Sequence, residues 1–146
     1  MKVSIEVAAQ YNEPYAVIYT SEVTDEIRHV IDVLNEYEKD APITAQLEDR
    51  IAILQPKDIY MVRIENGNTV IYGQSNKYYS RKKLYELAGQ LGRQFMQISK
   101  STLVNLAYLD NVEAGFSGSL LLKLKNGCKD YVSRKYLPAF KKYLGL

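Results

Sequence analysis

Three short stretches of the chain place basic side chains directly beside serine hydroxyls. The basic residues are Arg81, Lys82, Lys83, Lys100, Arg134 and Lys135, and the serines are Ser80, Ser99, Ser101 and Ser133. Lysine and arginine neutralise phosphate groups, hydroxyls donate hydrogen bonds to phosphate oxygens, and arginine also pairs with the edge of guanine. These stretches therefore favour recognition of a polyanion.

The position of these cations relative to predicted helices adds to the argument. Ser80 and Ser133 are suited to cap helix starts, which places Arg81 to Lys83 and Arg134 in first turns, where the helix dipole favours acids. Each cation there costs about 0.3–1 kcal/mol, and a bound phosphate would remove the conflict. Solvent screening, with Glu86 nearby, is the alternative explanation for Arg81 to Lys83, and a solvated side chain is the alternative for Arg134.

The remaining residue types exclude most enzyme classes. One cysteine, Cys128, and one histidine, His29, cannot build a metal cluster, an internal disulfide or a histidine-based triad. The sequence has no glycine-rich phosphate loop and no nucleophile–base pair. We expect no enzymatic activity, no cofactor, no metal ion and no small-molecule substrate.

Charge is divided unevenly along the 146 residues. Residues 1–45 hold nine acids and three bases and sum to −6, so the remainder carries +8 and the whole chain +2. A basic body favours a polyanionic partner, although an uneven solvated surface would give the same numbers. We expect a cytoplasmic protein, because no secretory signal is visible and no apolar run approaches the roughly 18 residues of a membrane span.

The first 42 residues predict an acidic β-β-α segment. Residues 3–7 alternate apolar and polar side chains with the period of a half-buried strand, and Tyr15 to Thr20 is a second β-rich run. Thr24 is suited to cap a helix whose apolar positions continue to Tyr37. This segment is a candidate for dimerisation, by edge-to-edge strand pairing, or for binding a partner.

From residue 43 onwards, short strands and tight turns dominate. The predicted strands cover residues 43–47, 50–54, 59–65, 69–74, 78–79, 95–98, 108–114, 119–124 and 128–132. Hairpin turns are predicted at Asn66-Gly67-Asn68 and Asn126-Gly127, helices after Ser80 and Ser133, and a short helical turn at 99–104. This spacing favours an α+β fold, with a β-dominated body of small antiparallel sheets and short helices over residues 43–146, and not a helix-turn-helix or a zinc finger.

Several local sequences, in their order, resemble the LytTR family of DNA-binding domains. The most recognisable runs from Phe95 to Asn105, where an aromatic residue and a strand lead to serines, an apolar pair and asparagine. The others are Asp58-Ile59-Tyr60, Phe116-Ser117-Gly118, Asn126-Gly127 and Val132 to Tyr136. Together they cover about residues 43–146.

The resemblance implies a mostly β fold in which loops from one edge enter successive DNA grooves, commonly at paired direct repeats in promoters. It implies DNA contacts at the hairpin loop with Asn68, at Lys100 with Ser101, and at Arg134 with Lys135. For Lys100, phosphate or minor-groove contact is favoured, and the alternative is that Ser99 simply caps a turn. To these contacts we add Arg81, Lys82 and Lys83 as phosphate anchors.

The N-terminal segment differs from the receiver domain that precedes the DNA-binding part in the commonest members. Residues 1–42 are too few for a receiver, so the chain resembles the short, receiver-less regulators, some of which are held by a neighbouring membrane protein. We expect a sequence-specific regulator of transcription that binds double-stranded promoter DNA, with a second copy and a membrane-bound regulatory protein as candidate partners. The alternative is a protein-interaction module whose acidic segment binds a regulatory partner and whose body has weak or no specific DNA binding.

Overall fold

A computed structural model describes residues 1–36 and 42–146 as a β-rich chain with short helices. The larger sheet consists of β1 Ile43–Leu47, β2 Arg50–Leu54, β3 Met61–Glu65, β4 Asn68–Tyr72, β5 Lys77–Ser80, β6 Phe95–Ser99 and β7 Thr102–Asn105. The smaller sheet consists of β8 Leu109–Ala114, β9 Leu120–Leu124 and β10 Lys129–Val132. The helices are α1 Asp25–Glu36, α2 Leu84–Leu91 and α3 Leu137–Leu144. This architecture confirms the predicted fold class.

Every strand pair is antiparallel. The larger sheet has the order β2-β1-β5-β4-β3-β7-β6, and the smaller has the order β10-β9-β8. The predicted hairpin between β3 and β4 is confirmed, and its turn residues Asn66 and Gly67 have φ of 50° and 78°. Two consecutive positive φ values are what a two-residue type I′ turn requires, and they fix the register that sets Glu65 opposite Asn68.

The centre of the larger sheet is buried on both faces. On one face, Val62 and Ile71 pack with Leu87 of α2. On the other face, Met61 packs with residues of the smaller sheet and with Phe140 of α3. Because alternate residues of a strand point to opposite faces, two separate apolar clusters hold the same strands in place.

Strand β7 replaces the predicted helical turn at 99–104. Only Lys100 and Ser101 turn, and all four residues of Thr102–Asn105 are buried. The prediction was wrong because β7 lies between β3 and β6, where ladder bonds on both sides outweigh local turn preference. Asn105 at its end bonds to the carbonyl oxygens of Pro56 and Ile59, as expected of a residue that satisfies local backbone.

Both predicted helix starts are displaced towards the C-terminus. Ser80 ends β5, because β5 pairs with β4 as far as this residue, and α2 begins at Leu84 with Lys83 at its N-cap. Arg81 and Lys82 therefore precede the helix. Likewise α3 begins at Leu137, so Arg134 lies in the preceding turn. The dipole argument for these cations consequently loses its basis.

The head, defined as residues 1–36, contains α1 but no strand. Thr24 caps α1 as predicted, with its Oγ1 accepting a hydrogen bond from the Ile27 N–H. The two predicted strands do not form in the single chain, and Val3, Ile5 and Val7 are 83–90% exposed. A two-stranded hairpin is marginal in water on its own, which explains the failure.

The expected apolar positions of α1 beyond residue 36, including Tyr37, lie outside the described residues. Asp32 of α1 forms an ion pair with Arg93, which joins this helix to the body. Among residues 1–36 and 42–146, no helix is long and apolar enough to cross a membrane.

Candidate nucleic-acid interface

The ends of five strands meet along one edge of the larger sheet. Glu65 ends β3 and Asn68 begins β4, Ser80 ends β5, and Ser99 and Thr102 flank the turn from β6 to β7. Neighbouring strands run antiparallel, so these ends all lie on the same side. We call this side the cationic edge, and it comprises residues 66–68, 80–83, 99–101 and 133–135.

Hydrogen bonds tie successive loops of the cationic edge together. The Ile64 N–H donates to the Ser101 carbonyl at 2.8 Å, which sets the β6–β7 turn beside the β3–β4 turn. Thr69 Oγ1 donates to the Lys82 carbonyl at 2.7 Å, which sets residues 80–83 on the other side of the same turn. The structure therefore brings together three regions that sequence could only suggest separately.

Residues 133–135, which follow β10 of the smaller sheet, also lie at this edge. The Ser133 N–H donates to the Ile98 carbonyl at 2.9 Å, just before Lys100. Arg134 and Lys135 follow directly and are exposed. All eight residues predicted to contact DNA thus lie along one edge, in the spatial order residues 81–83, Asn68, residues 100–101 and residues 134–135.

A polar cluster centred on Arg63 fastens β10 to the larger sheet. The Arg63 guanidinium lies 2.6 Å from Glu65 Oε1 and 3.6 Å from Asp130 Oδ2. Tyr72 donates its hydroxyl to Glu65 at 2.6 Å, and Thr102 donates to Asp130 at 2.7 Å. Because Asp130 lies in β10, the cluster fixes the strand that leads to Arg134.

The charges of this cluster stabilise one another. Burial alone would raise the pKa of Glu65, but hydrogen bonds from Tyr72 and Arg63, together with the Arg63 charge, lower it below its usual value. Burial and the bond to Glu65 raise the pKa of Tyr72. Glu65 is consequently an anion already neutralised by its neighbours, although it lies at the cationic edge.

Side-chain pairing divides the predicted contacts into two groups. Within the described residues, no hydrogen bond or ion pair joins the side chains of Lys100, Arg134, Arg81 or Lys83 to the rest of the protein. Lys82 is different, because its Nζ donates to Gln90 Oε1 of α2 at 2.9 Å. Lys135 lies over the Tyr136 ring, 5.7 Å from the centroid. Lys100, Arg134, Arg81 and Lys83 are therefore the most available to an anion.

Phe116 is a surface feature that we did not select as a site residue. It is 92% exposed and lines a cavity of about 230 Å³ together with Arg134. The N–H and Oγ of Ser119 both donate to the Phe116 carbonyl, at 3.1 and 2.7 Å. A Cβ at Gly115 would lie 2.5 Å from Ser119 Oγ, so a side chain there would displace this hydroxyl from its bond to Phe116. An aromatic residue within a glycine-bounded turn was the signal in the sequence.

Comparison with known proteins agrees with this architecture. The family model described as the LytTr DNA-binding domain matches residues 49–145. The LytTr DNA-binding domain of a Bacillus cereus protein described as a methyl-accepting/DNA response regulator superposes with a TM-score of 0.67 at 20% identity, covering 72% of this chain and 97% of that one.

Relatives from Staphylococcus aureus match the head as well as the body. Uncharacterized HTH-type transcriptional regulators from strains MSSA476 and N315 are each 27% identical over 146 residues, which is 100% of this chain and 99% of the relative. Despite the wording of those descriptions, α2 and α3 are separated by five strands here, so these two helices form no helix-turn-helix. Since the family match spans most of its length, the chain belongs to the LytTR family, and residues 49–145 form its LytTr DNA-binding domain.

Proposed function

We propose that this protein is a sequence-specific regulator of transcription that binds double-stranded promoter DNA through the cationic edge. The observation that carries the proposal is the alignment of four loops with six basic residues on one edge of a rigid sheet. The nearby carboxylate of Glu65 is neutralised by the Arg63 guanidinium and accepts a hydrogen bond from the Tyr72 hydroxyl. An exposed row of cations is the surface that a phosphate backbone requires.

The length of the cationic edge suits a duplex. Strands β5, β4, β3, β7 and β6 are separated by four interstrand spacings, which total about 19 Å at ~4.8 Å each. The major and minor grooves are about 12 Å and about 6 Å wide. Loops at opposite ends of the edge can therefore reach adjacent grooves.

The loops divide into readers of bases and anchors of phosphates. Arg134 is unpaired and exposed, so its guanidinium can bond guanine O6 and N7 in the major groove. Lys100, Ser101 and Lys135 supply phosphate contacts around it. Arg81 and Lys83 anchor the far end, and Lys82, already bonded to Gln90, contributes less. Asn68 has an exposed amide that can reach a base edge.

We further propose that two copies occupy paired repeats in a promoter, and that the protein works in the cytoplasm. A single edge of this length touches few base pairs, and joining two edges raises affinity through effective concentration.

Selection from a pool of random duplexes tests the proposal. We expect one motif to be enriched, with affinity falling steeply as salt rises because phosphate neutralisation releases counterions. Arg134→Ala should cost about 1–3 kcal/mol and relax preference at one position of the motif. Lys100→Ala should weaken motif and scrambled duplexes alike and reduce the salt slope by about 0.9.

Lys125→Ala is the matched control. Lys125 is an exposed lysine that follows β9 at the end of this strand that is remote from the cationic edge. Its affinity and salt slope should equal those of the wild type. A pool that stays unenriched, or an Arg134→Ala variant that keeps the full motif preference, would contradict the proposal.

The alternative function, a module whose acidic head binds a regulatory protein such as a membrane-bound one, makes a different prediction. Replacing Glu22, Asp25 and Glu26 by glutamine should then abolish partner binding, and the body should show no motif preference. The unpaired cations of the cationic edge favour DNA binding, because a row of unpaired positive charges attracts an anionic ligand such as the phosphate backbone.

A further inference from the structure

The head displays two apolar runs that form no regular secondary structure and no strand pairing in the single chain, although the Tyr15 ring packs edge-on against Tyr11. They are residues 3–7 and Tyr15 to Tyr19, joined by a turn in which the Tyr11 N–H donates to the Ala8 carbonyl. No ladder bond between the two runs is described for residues 1–24. Tyr19 is 93% exposed, although a tyrosine in a β-rich run normally packs against a neighbour. These runs therefore have the residue composition of β-strands but no neighbouring strand to pair with.

The second run is symmetric about its central residue. Tyr15 and Tyr19 lie two positions on either side of Val17, and Ala16 and Ile18 flank it directly. In an antiparallel pair of identical segments about a two-fold axis, Tyr15 lies opposite Tyr19 of the partner subunit, and Val17 lies opposite Val17 of the partner subunit. Opposed aromatic and β-branched residues are favourable cross-strand pairs. The run is thus complementary to itself.

The two runs differ in the position that each could occupy in a sheet. Tyr15 to Tyr19 carries no charge on either face, which is typical of a central strand. Residues 3–7 carry apolar side chains on one face, with Ser4 and Glu6 on the other, which is typical of an outer strand. A sheet formed by two copies would therefore have residues 3–7 as its two outer strands and Tyr15 to Tyr19 as its two central strands, with the two-fold axis between the central strands.

Helix α1 supplies a cover for such a sheet. Ile31 and Leu34 of α1 are more than two-fifths exposed in the single chain and lie at helical spacing on one side. A hairpin alone is only marginally stable in water, whereas a sheet of four strands whose hydrophobic face packs on helices can be stable. Two copies together supply the four strands and the covering helices that a single copy lacks.

The exposed apolar area is sufficient for a stable dimer. Four aliphatic side chains, namely Val3, Ile5, Val7 and Val17, would each bury about 60–120 Å². Tyr15 and Tyr19 would add about 150–250 Å² each. The total of roughly 800 Å² per copy is shared between the contact across the axis and the packing of each hairpin on its own α1, and it is comparable with what one partner contributes to a specific interface.

We propose that two copies of this chain dimerise through their heads, with Tyr15 to Tyr19 pairing antiparallel about a two-fold axis at Val17. Residues 3–7 flank the pair as outer strands, and both α1 helices cover one face. This interface forms without DNA, so it stands independently of the function proposed above.

The mass of the full chain in solution, measured by light scattering across the micromolar range without DNA, tests the interface. We expect about twice the 16.7 kDa of one chain. Val17→Asp should raise the dissociation constant about 100-fold or more, because the symmetric contact loses two buried valines and gains two charges. Ile51→Asp is the matched control, since Ile51 is likewise an exposed aliphatic residue and lies on the outermost strand β2.

Disulfide trapping provides a second measurement that does not depend on the aspartate variant folding. In a Cys128→Ser background, Val17→Cys should form a covalent dimer on mild oxidation, because residues opposed across the axis have Cβ atoms about 4.5–5.5 Å apart. Lys2→Cys should not, because the outer strands are separated by three spacings, about 14 Å.

Three outcomes would overturn the proposal. The first is a monomer at every concentration, and the second is a dimer that Ile51→Asp dissociates while Val17→Asp does not. The third is cross-linking that is equally efficient at Lys2→Cys and Val17→Cys. A dimer dissociated by Val17→Asp and trapped only at Val17→Cys would establish the interface.

Discussion

The head and the body contain the same alternation of apolar residues with opposite results. In β1, Ile43 and Ala45 are buried because β2 and β5 lie on either side and residues of α2 pack on this face. In the head, Val3 and Val7 remain in solvent because nothing lies beside them. Alternation therefore specifies which face of a strand is apolar, whereas the neighbours decide whether the strand forms.

The sharpest test of this contrast compares two aromatic residues. Phe140→Ala removes a fully buried ring between α3 and the smaller sheet and should lower the free energy of unfolding by about 3–5 kcal/mol. Tyr19→Ala, measured with the head monomeric at low concentration, should change it by less than about 0.5 kcal/mol. Urea denaturation of both variants measures these changes. Similar losses in the free energy of unfolding would contradict the difference between head and body.

A polar version of the test uses the Arg63 cluster. Glu65→Gln should lower the free energy of unfolding by about 1–3 kcal/mol at neutral pH, because charged hydrogen bonds are lost. The pKa of Glu65 is lowered in the folded protein, so its stabilisation is full above the unfolded value of about 4.3 and disappears as pH falls through the folded value.

The difference between wild type and Glu65→Gln should accordingly shrink on acidification, which urea titrations at a series of pH values would measure. Glu48→Gln, in the exposed turn between β1 and β2, serves as the control and should show no such trend. A difference independent of pH would show that the charge of Glu65 is unimportant.

Within the head, the helix cap should act locally. Thr24→Ala removes the oxygen that accepts from Ile27 and should destabilise α1 by about 1 kcal/mol. Hydrogen exchange should then be about five-fold faster in α1 and unchanged in β3 and β4. Thr44→Ala, an exposed threonine in β1, should leave α1 exchange unaltered. Faster exchange throughout the body would mean that head and body unfold together.

The smallest effect concerns the ion pair that connects the two regions. Asp32→Asn removes the partner of Arg93, which is well exposed, and should change global stability by less than about 0.5 kcal/mol. Thermal unfolding at low and high salt would measure it, with Glu13→Gln as a control at an exposed acid of the head. A loss larger than that of Thr24→Ala would show that the pair holds the head against the body.

Sequence patterns predicted most of the body, because turn residues and alternation act locally. The Asn66-Gly67 turn and strands β1 to β6 were found in order, since positive-φ turns leave a clear signal. β7 was missed, because its four buried residues depend on β3 and β6, which are distant in sequence. Ser80 was misassigned as a helix cap for the same reason, since pairing with Thr69 keeps it in a strand.

The candidate site was predictable in its members but not in its assembly. Residue types and family resemblance selected Lys100 and Arg134, and only the sheet topology shows that they share an edge. The bond from Lys82 to Gln90 and the cluster around Arg63 depend on folded contacts and gave no sequence signal. Phe116 was visible as an aromatic residue in a turn, yet its exposure follows from the tight loop that Gly115 permits.

The construction of the cationic edge has a consequence for how such proteins diverge. Each of its loops is held to the strands by hydrogen bonds, and the bonds that tie successive loops together join backbone groups or Thr69 and not the side chains predicted to contact DNA. Substitutions in separate loops with no common partner tend to act additively. New base preferences can therefore arise one loop at a time, while the strands that carry the loops keep their sequence and the protein keeps its stability.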